Sequence, residues 1–250
     1  MLDPNMTVRE LALQIPNGTR VLEQAKIDYC CGGNDLLRDA CQSAGVDLEL
    51  LEQMLATNSG GATAATIDFE QLTLNELITH ILDTHHVFTR NEMARLEVLA
   101  AKVVAAHGEN HSELLAISSL LRQLCDDLMQ HMFKEEQILF PFIVKLEQSV
   151  RQNGPPPFAP FGTVNHPVRM MTMEHETAGE ILRELRKLSS DYAVPPDACA
   201  SYQALYQSLA ALERDLHQHI HLENNVLFPQ AIALEANPQA SRHGTIRHAD

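Results

Sequence analysis

The sequence predicts an all-α protein: a four-helix bundle preceded by a small helical domain that carries a cysteine pair. Three observations point there. The 250 residues contain no Trp and only 5% aromatics, while Leu, Ala, Glu and Gln abound, a bias that favours helix over sheet. Two segments 88 residues apart repeat one pattern. His131-Met-Phe-Lys-Glu135 runs on to Ile138-Leu139-Phe140-Pro141, and His219-Ile-His-Leu-Glu223 runs on to Val226-Leu227-Phe228-Pro229. Turn sequences also fall midway between pairs of histidines, as antiparallel helical hairpins require.

Elements follow in order. Thr7-Val8-Arg9-Glu10 reads as a capping box opening a first short helix that stops at Pro16. Asn17-Gly18 turns the chain into a second helix ending near Tyr29. Cys30-Cys31-Gly32-Gly33-Asn34 is a turn at the mouth of a third helix, read from Leu36 to about Ser43, and Asp47 to Leu55 is a fourth. This sets residues 1–56 apart as a small helical domain with a Cys-Cys-Gly-Gly motif. Residues 57–68, rich in Thr, Gly and Ala, have the composition of a flexible linker. Residues 69–236 form the bundle, with helices expected over 72–106, 112–148, 164–190 and 197–235, and 237–250 a mobile polar tail. Pro141 and Pro229 are expected to kink or locally break the second and fourth helices. Asn153 to Gly162, with four prolines, is a stiff connection between the halves.

Composition excludes several functions. A net charge of −15 argues against a nucleic-acid surface, which needs clustered Lys and Arg. No apolar run approaches the ~18–20 residues of a membrane span, and the N-terminus has no basic-then-apolar signal pattern. A cytoplasmic protein is expected, without membrane or nucleic-acid partners. Five cysteines, two of them adjacent, do not make a secreted disulfide framework.

The hairpin arithmetic selects a site. His86 and His131 are 45 residues apart, with their midpoint in His107-Gly108-Glu109-Asn110. His175 and His219 are 44 apart, with their midpoint at Asp197 after Pro195-Pro196. Each half therefore sets a histidine of its first helix level with the His-x-x-x-Glu of its second, roughly 33 Å from the turn at 1.5 Å per residue. His86, His131, Glu135, His175, His219 and Glu223 would share one layer of the core. A single His-x-x-x-Glu is commonly a surface ion pair. Two in duplicated register would instead leave buried carboxylates without compensation unless they bind metal. Four imidazoles and two carboxylates, with no thiolate, suit iron or manganese better than structural zinc. Two carboxylates among six ligands fit a bridged metal pair, each ion with two histidines, both glutamates shared and a solvent oxygen bridge.

His85 competes with His86. A helical wheel puts His85 nearer the centre of the face made by Leu74, Leu77, Ile78, Ile81 and Leu82. The repeat favours His86, because that register aligns Met93 with Leu182, Leu96 with Leu185 and Leu99 with Leu188. His217 and His221 are expected to face solvent or stand behind the ligands, and His80, His107, His111, His166, His243 and His248 to lie on the surface or in loops. Glu136 and Asn224 should face away, whereas Glu174 or Glu176 is a candidate to support a ligand. For Cys30 and Cys31, the helix mouth would favour thiolate and a redox or metal-handling role. Cys41, Cys125 and Cys199 read as core or loop residues.

Together, Asp28-Tyr-Cys-Cys-Gly-Gly33, His86, His131-x-x-x-Glu135-Glu-Gln-Ile-Leu-Phe-Pro141, Glu174-His175-Glu-x-Ala-Gly179 and His219-x-x-x-Glu223-Asn-Asn-Val-Leu-Phe-Pro229 closely resemble the iron–sulfur cluster repair di-iron proteins, the repair of iron centres family. The resemblance spans roughly residues 5–235. It implies a hemerythrin-like bundle behind a short cysteine-bearing domain. It also implies two non-haem irons on the six residues above, with both glutamates bridging, and a pair of functional cysteines at Cys30 and Cys31. The implied function is restoration of clusters damaged by oxidative or nitrosative stress, by iron donation or by nitric oxide chemistry. The implied partners are damaged iron–sulfur proteins, with a homodimer left open. The alternative is a hemerythrin-like carrier or sensor of oxygen or nitric oxide, disfavoured because such sites carry a fifth histidine.

Overall fold

The structure is a computed structural model that describes residues 2–15, 17–58 and 68–236. The expected stop at Pro16, most of the linker, the tail, His243 and His248 lie outside the described residues. By contact the chain separates into two compact units: Met1–Leu72 together with His217–Phe228, and Thr73–Leu216 together with the helix from Pro229 onward.

The first unit holds four short helices: α1 (Val8–Gln14), α2 (Gly18–Gln24), α3 (Leu37–Ala44) and α4 (Leu48–Asn58). Thr7 caps α1 in the expected box, its hydroxyl accepting from the Glu10 N–H at 3.1 Å while the Glu10 carboxylate accepts from the Thr7 N–H at 2.7 Å. Gly18 sits so close to α1 that a Cβ would meet the Leu11 carbonyl oxygen at 2.3 Å, which excludes any side chain there. The stretch between α2 and α3 pairs with the entrance to α1: Val8 N–H bonds Asp35 O at 3.0 Å, Arg9 N–H bonds Gly33 O at 2.8 Å, and Leu37 N–H bonds Met6 O at 2.8 Å. Val8, Leu11, Val21, Leu22, Tyr29, Leu37 and Leu51 fill the core beneath. Residues 33–35 stay in a turn, closed by the Asp35 N–H bond to Gly32 O at 3.0 Å, and α3 begins at Leu37, one residue after the expected Leu36.

The second unit is built on two long helical hairpins. In the first, α5 (Leu74–His80), a π-helical segment π1 (Ile81–His86) and α6 (Val87–His107) form one rod. It returns through α7 (Glu113–Lys134), π2 (Glu135–Leu139) and α8 (Phe140–Arg151). The second hairpin pairs α9 (Asn165–Leu188) with α10 (Ala200–Leu222), which continues into π3 (Glu223–Leu227) and α11 (Phe228–Ala236). Leu96 and Val103 of α6, Leu121 and Leu124 of α7, Ile181 and Leu185 of α9, and Tyr202 and Leu209 of α10 share one core. These are the four helices of the bundle.

Pro141 and Pro229 do not break their helices. In each case one turn widens just before the proline: the Phe140 N–H reaches back to Glu135 O and the Phe228 N–H to Glu223 O, an i to i+5 bond. The wider turn accommodates the ring that an α-turn would drive against a carbonyl. Each widened turn begins at a glutamate of the repeat. The two hairpins also close alike. Glu147 of α8 accepts from the N–H groups of Leu74 and Asn75 at 3.0 and 3.1 Å, and Glu235 of α11 accepts from that of Val164 at 3.0 Å. These carboxylates satisfy donors that open each hairpin's first helix.

Among the described residues, no helix is long and apolar enough to cross a membrane.

Candidate metal centre

Three helices of the second unit aim side chains at one level. His86 ends π1, His131 lies in the last turn of α7, Glu135 opens π2, and His175 is mid-helix in α9. All four are essentially excluded from solvent. His131 and Glu135 are four residues apart on one face, with His131 Nε2 at 3.3 Å from Glu135 Oε1. The other oxygen, Oε2, stands 3.4 Å from His86 Nε2. His175 Nε2 lies 3.0 Å from His131 Nε2. In the first unit the second copy of the motif repeats the pairing: His219 Nε2 and Glu223 Oε1 are 3.0 Å apart, both residues buried. Adjacent donors on one ion at bond lengths of about 2.1 Å stand roughly 3 Å apart, so these separations have the scale of a coordination sphere.

Within the second unit, ligand atoms of His131, Glu135 and His175 lie within 4.8 Å of one another. Of the six residues named from the repeat, the second unit sets His86, His131, Glu135 and His175 beside one another, and the first pairs His219 with Glu223. His85, also buried, turns away and meets Asp215 at 3.0 Å through Nδ1. The wheel misjudged this pair because π1 adds a residue to the turn they end, shifting the register that a uniform 3.6-residue period assumes.

Behind the donors stand two carboxylates, Glu174, which the sequence offered as a support, and Glu136, which it did not. Glu136, expected to face away, meets His86 Nδ1 at 2.7 Å and also Arg90. The widened turn at Glu135–Leu139 is the reason, since it re-aims the residue following the ligand. Glu174 serves His131 rather than its neighbour His175, meeting His131 Nδ1 at 2.9 Å and also Lys134. An ionised carboxylate only accepts, so each of these Nδ1 atoms carries the proton and each Nε2 lone pair faces inward. The bonds from His131 and then Lys134 hold the Glu174 carboxyl at about 2. Burial opposes ionisation of Glu136, yet its bonds from His86 and Arg90 keep it below the usual carboxylate range.

The cysteine pair has a different character from the one expected. Cys30 is buried and Cys31 partly so, their sulfurs 3.8 Å apart as free thiols. The N–H groups that would stabilise a thiolate go to Asp28 instead: Oδ1 accepts from Cys30 at 3.1 Å and Cys31 at 2.9 Å, and the Cys30 thiol also points at it from 3.1 Å. The hydrogen bond with Cys31, then burial and the Asp28 charge, push the Cys30 thiol well above its ordinary value. Asp28, Cys30 and Cys31 still form a compact group of possible ligand atoms.

His221 is not solvent-facing. Within the first unit it packs edge-on against Tyr29, with ring centroids 5.2 Å apart, and burial pushes it down to about 4. The Asn225 amide lies 3.1 Å from both His221 Nδ1 and Tyr29 O and 3.3 Å from Cys30 O. Asn224 adds a bond to Cys30 O at 3.2 Å. A Cβ on Gly33 would meet Asn225 Oδ1 at 2.4 Å, so the second glycine of the motif is what lets this amide approach.

Comparison with known proteins agrees with this architecture. Residues 77–231 match the hemerythrin HHE cation binding domain, and residues 4–59 match a domain described as of unknown function, DUF542. The chain is 35% identical to the iron-sulfur cluster repair protein YtfE of Dickeya chrysanthemi, over 91% of this chain and 97% of that one. It is 34% identical to a probable iron-sulfur cluster repair protein of Haemophilus influenzae, over 89% and 95%. With YtfE of Yersinia pseudotuberculosis it shares 33%, over 91% and 97%. Fold and site define a hemerythrin-like, cation-binding bundle behind a cysteine-bearing domain. The chain belongs to the family of iron–sulfur cluster repair proteins.

Proposed function

We propose that this protein holds two non-haem irons with an oxygen bridge on His86, His131, Glu135, His175, His219 and Glu223, and uses them to restore iron–sulfur clusters damaged by oxidative or nitrosative stress in the cytoplasm. One observation carries the reading: Glu135 stands between two histidines of the second unit. Glu135 turns one oxygen toward His86 and the other toward His131, as a carboxylate shared between two ions would. The second copy of the motif would supply the matching pair, His219 and Glu223, which stand 3.0 Å apart in the first unit. A set of imidazoles and carboxylates without thiolate suits iron. The relatives' names supply the task.

A bound iron pair would supply reversible one-electron chemistry and, when reduced, a weaker hold on the metal. The chain's own residues set the conditions. Glu136 and Glu174 keep the protons of His86 and His131 on Nδ1, so the inner nitrogens stay ready to bind. Burial of all six donors excludes bulk water and keeps the carboxylates strongly interacting. Cys30, held as a thiol beside Asp28, and Cys31 next to it are assigned to receive or pass on iron, electrons or nitrosyl groups. The expected partners are damaged iron–sulfur proteins.

The test is addition of the iron-loaded protein to an enzyme whose cluster was destroyed by peroxide or nitric oxide. Activity should return; no recovery overturns the repair role, and stable oxygen binding without recovery would favour a carrier. Glu135→Leu and Glu223→Leu should each lower iron content sharply. Iron that stays near two per chain in either variant would show the ligand set to be wrong.

A further inference from the structure

About 32 Å along α6 from His86, at 1.5 Å per residue, a second group of metal-type side chains takes no part in the proposed centre. We propose that His107, His111 and Asp197 form a separate site for a divalent transition ion of the zinc class, which ties the α6–α7 turn to the segment entering α10. His107 ends α6, and the His111 N–H bonds its carbonyl at 2.9 Å, so one more helix-like turn sets the two imidazoles on the same side. Their ring centroids are 6.2 Å apart. Asp197 reaches them from the other hairpin, its oxygens 3.0 and 3.1 Å from His111 Nε2. One ligand atom from each of the three lies within 4.8 Å of the others.

The surroundings suit a ligand set. His111 Nδ1 meets Glu113 at 3.1 Å, which places a carboxylate behind a coordinating imidazole as zinc sites commonly do. The Tyr202 ring lies against both imidazoles, at 5.3 Å from His107 and 5.4 Å from His111, and limits their rotation. His107 also hydrogen-bonds the Cys199 thiol. Asp197 is exposed and both histidines are partly so, which gives an ion a path from solvent. Donors around tetrahedral zinc stand roughly 3.4 Å apart for bonds of about 2.0–2.1 Å, so small side-chain rotations close the set. Two imidazoles and one carboxylate favour zinc over the all-oxygen shells of calcium or magnesium, and leave a fourth position to water. Because the ion would bridge two turns that are distant in sequence, binding should stabilise the folded chain.

The test uses untagged, iron-loaded, full-length protein. Zinc is titrated calorimetrically, zinc and iron per chain are counted by mass spectrometry, and Tm is measured with and without zinc. Wild type should bind one more zinc than His107→Ala/His111→Ala at equal iron, and zinc should raise Tm in wild type only. Asp197→Asn keeps the turn's size and should weaken binding at least about tenfold. If the double variant loses iron or helix content, Asp197→Asn decides alone. Unchanged zinc affinity there, or equal zinc in all three proteins, overturns the proposal. None of these residues belongs to the proposed iron centre, so that failure would leave the repair reading standing.

Discussion

Glu136 and Glu174 each stand one position from one of the six candidate donors, and each steers a histidine of the other helix it faces. Their chemistry is orientation: a carboxylate on Nδ1 selects the tautomer and raises the basicity of Nε2. Removing that partner typically costs 10–100-fold in metal affinity. Glu136→Ala and Glu174→Ala should therefore each weaken iron retention by about that factor in chelator competition, with helix content unchanged; retention equal to wild type would contradict the assignment. The thiols divide by environment in the same way. Backbone N–H groups at the start of α10, chiefly that of Tyr202, and then His107 bring exposed Cys199 down to about 7. Burial pushes Cys125 up to about 12, and the bond to Cys31 together with burial raises Cys30. Alkylation near pH 7.5 with peptide mapping should label Cys199 before Cys125 and Cys30, because the thiolate is the nucleophile. Labelling of Cys30 at the rate of Cys199 would show that Asp28 does not hold it as a thiol.

At the scale of elements, the widened turns do what a uniform α-helix could not. Two of them follow from the sequence once the prolines are read as wideners rather than breakers. The third, π1, contains no proline and left no legible mark, which is why the helical wheel pointed to His85 while the repeat favoured His86. The paired caps were legible in principle. Glu147 and Glu235 are separated by the same 88 residues as the two motifs, but nothing local says that a carboxylate near a helix's end will reach the start of another helix. Glu147→Ala and Glu235→Ala should each destabilise the protein by about 1–2 kcal/mol, the usual cost of a lost N-terminal cap. Urea unfolding measures this, and the iron content of the folded protein should stay at the wild-type level. No change in midpoint for either variant would count against the cap.

At the scale of the whole molecule, the last helix is read twice, since His219 and Glu223 carry donors while His221 and Asn225 pack on the segment around Tyr29 and Cys30. His221 gives this packing a pH signature. Its folded pKa is depressed to about 4 by burial, against 6.5 for the free side chain. Below 6.5 the unfolded chain takes up the proton that the folded chain refuses, so stability is complete above that value and falls as the pH drops toward 4. The loss at pH 5 should be about 2 kcal/mol. Urea unfolding of iron-free protein between pH 7 and 5 tests this, with His221→Gln expected to flatten the slope; equal slopes would show that another group is responsible.

The sequence by itself determined the fold class, the hairpin turns and the duplicated motif. These are carried by periodicity, by turn residues and by a duplication whose spacing survives any uncertainty in local geometry. Only the tertiary structure decided which carboxylates stand behind the histidines, which of two neighbouring histidines faces the centre, and how Asp28 takes the N–H groups near the cysteines. It alone also brought His107, His111 and Asp197 together from opposite hairpins. The physical reason is common to all of these. Each depends on one extra residue in a turn or on a contact between segments distant in sequence, and neither leaves a periodic trace.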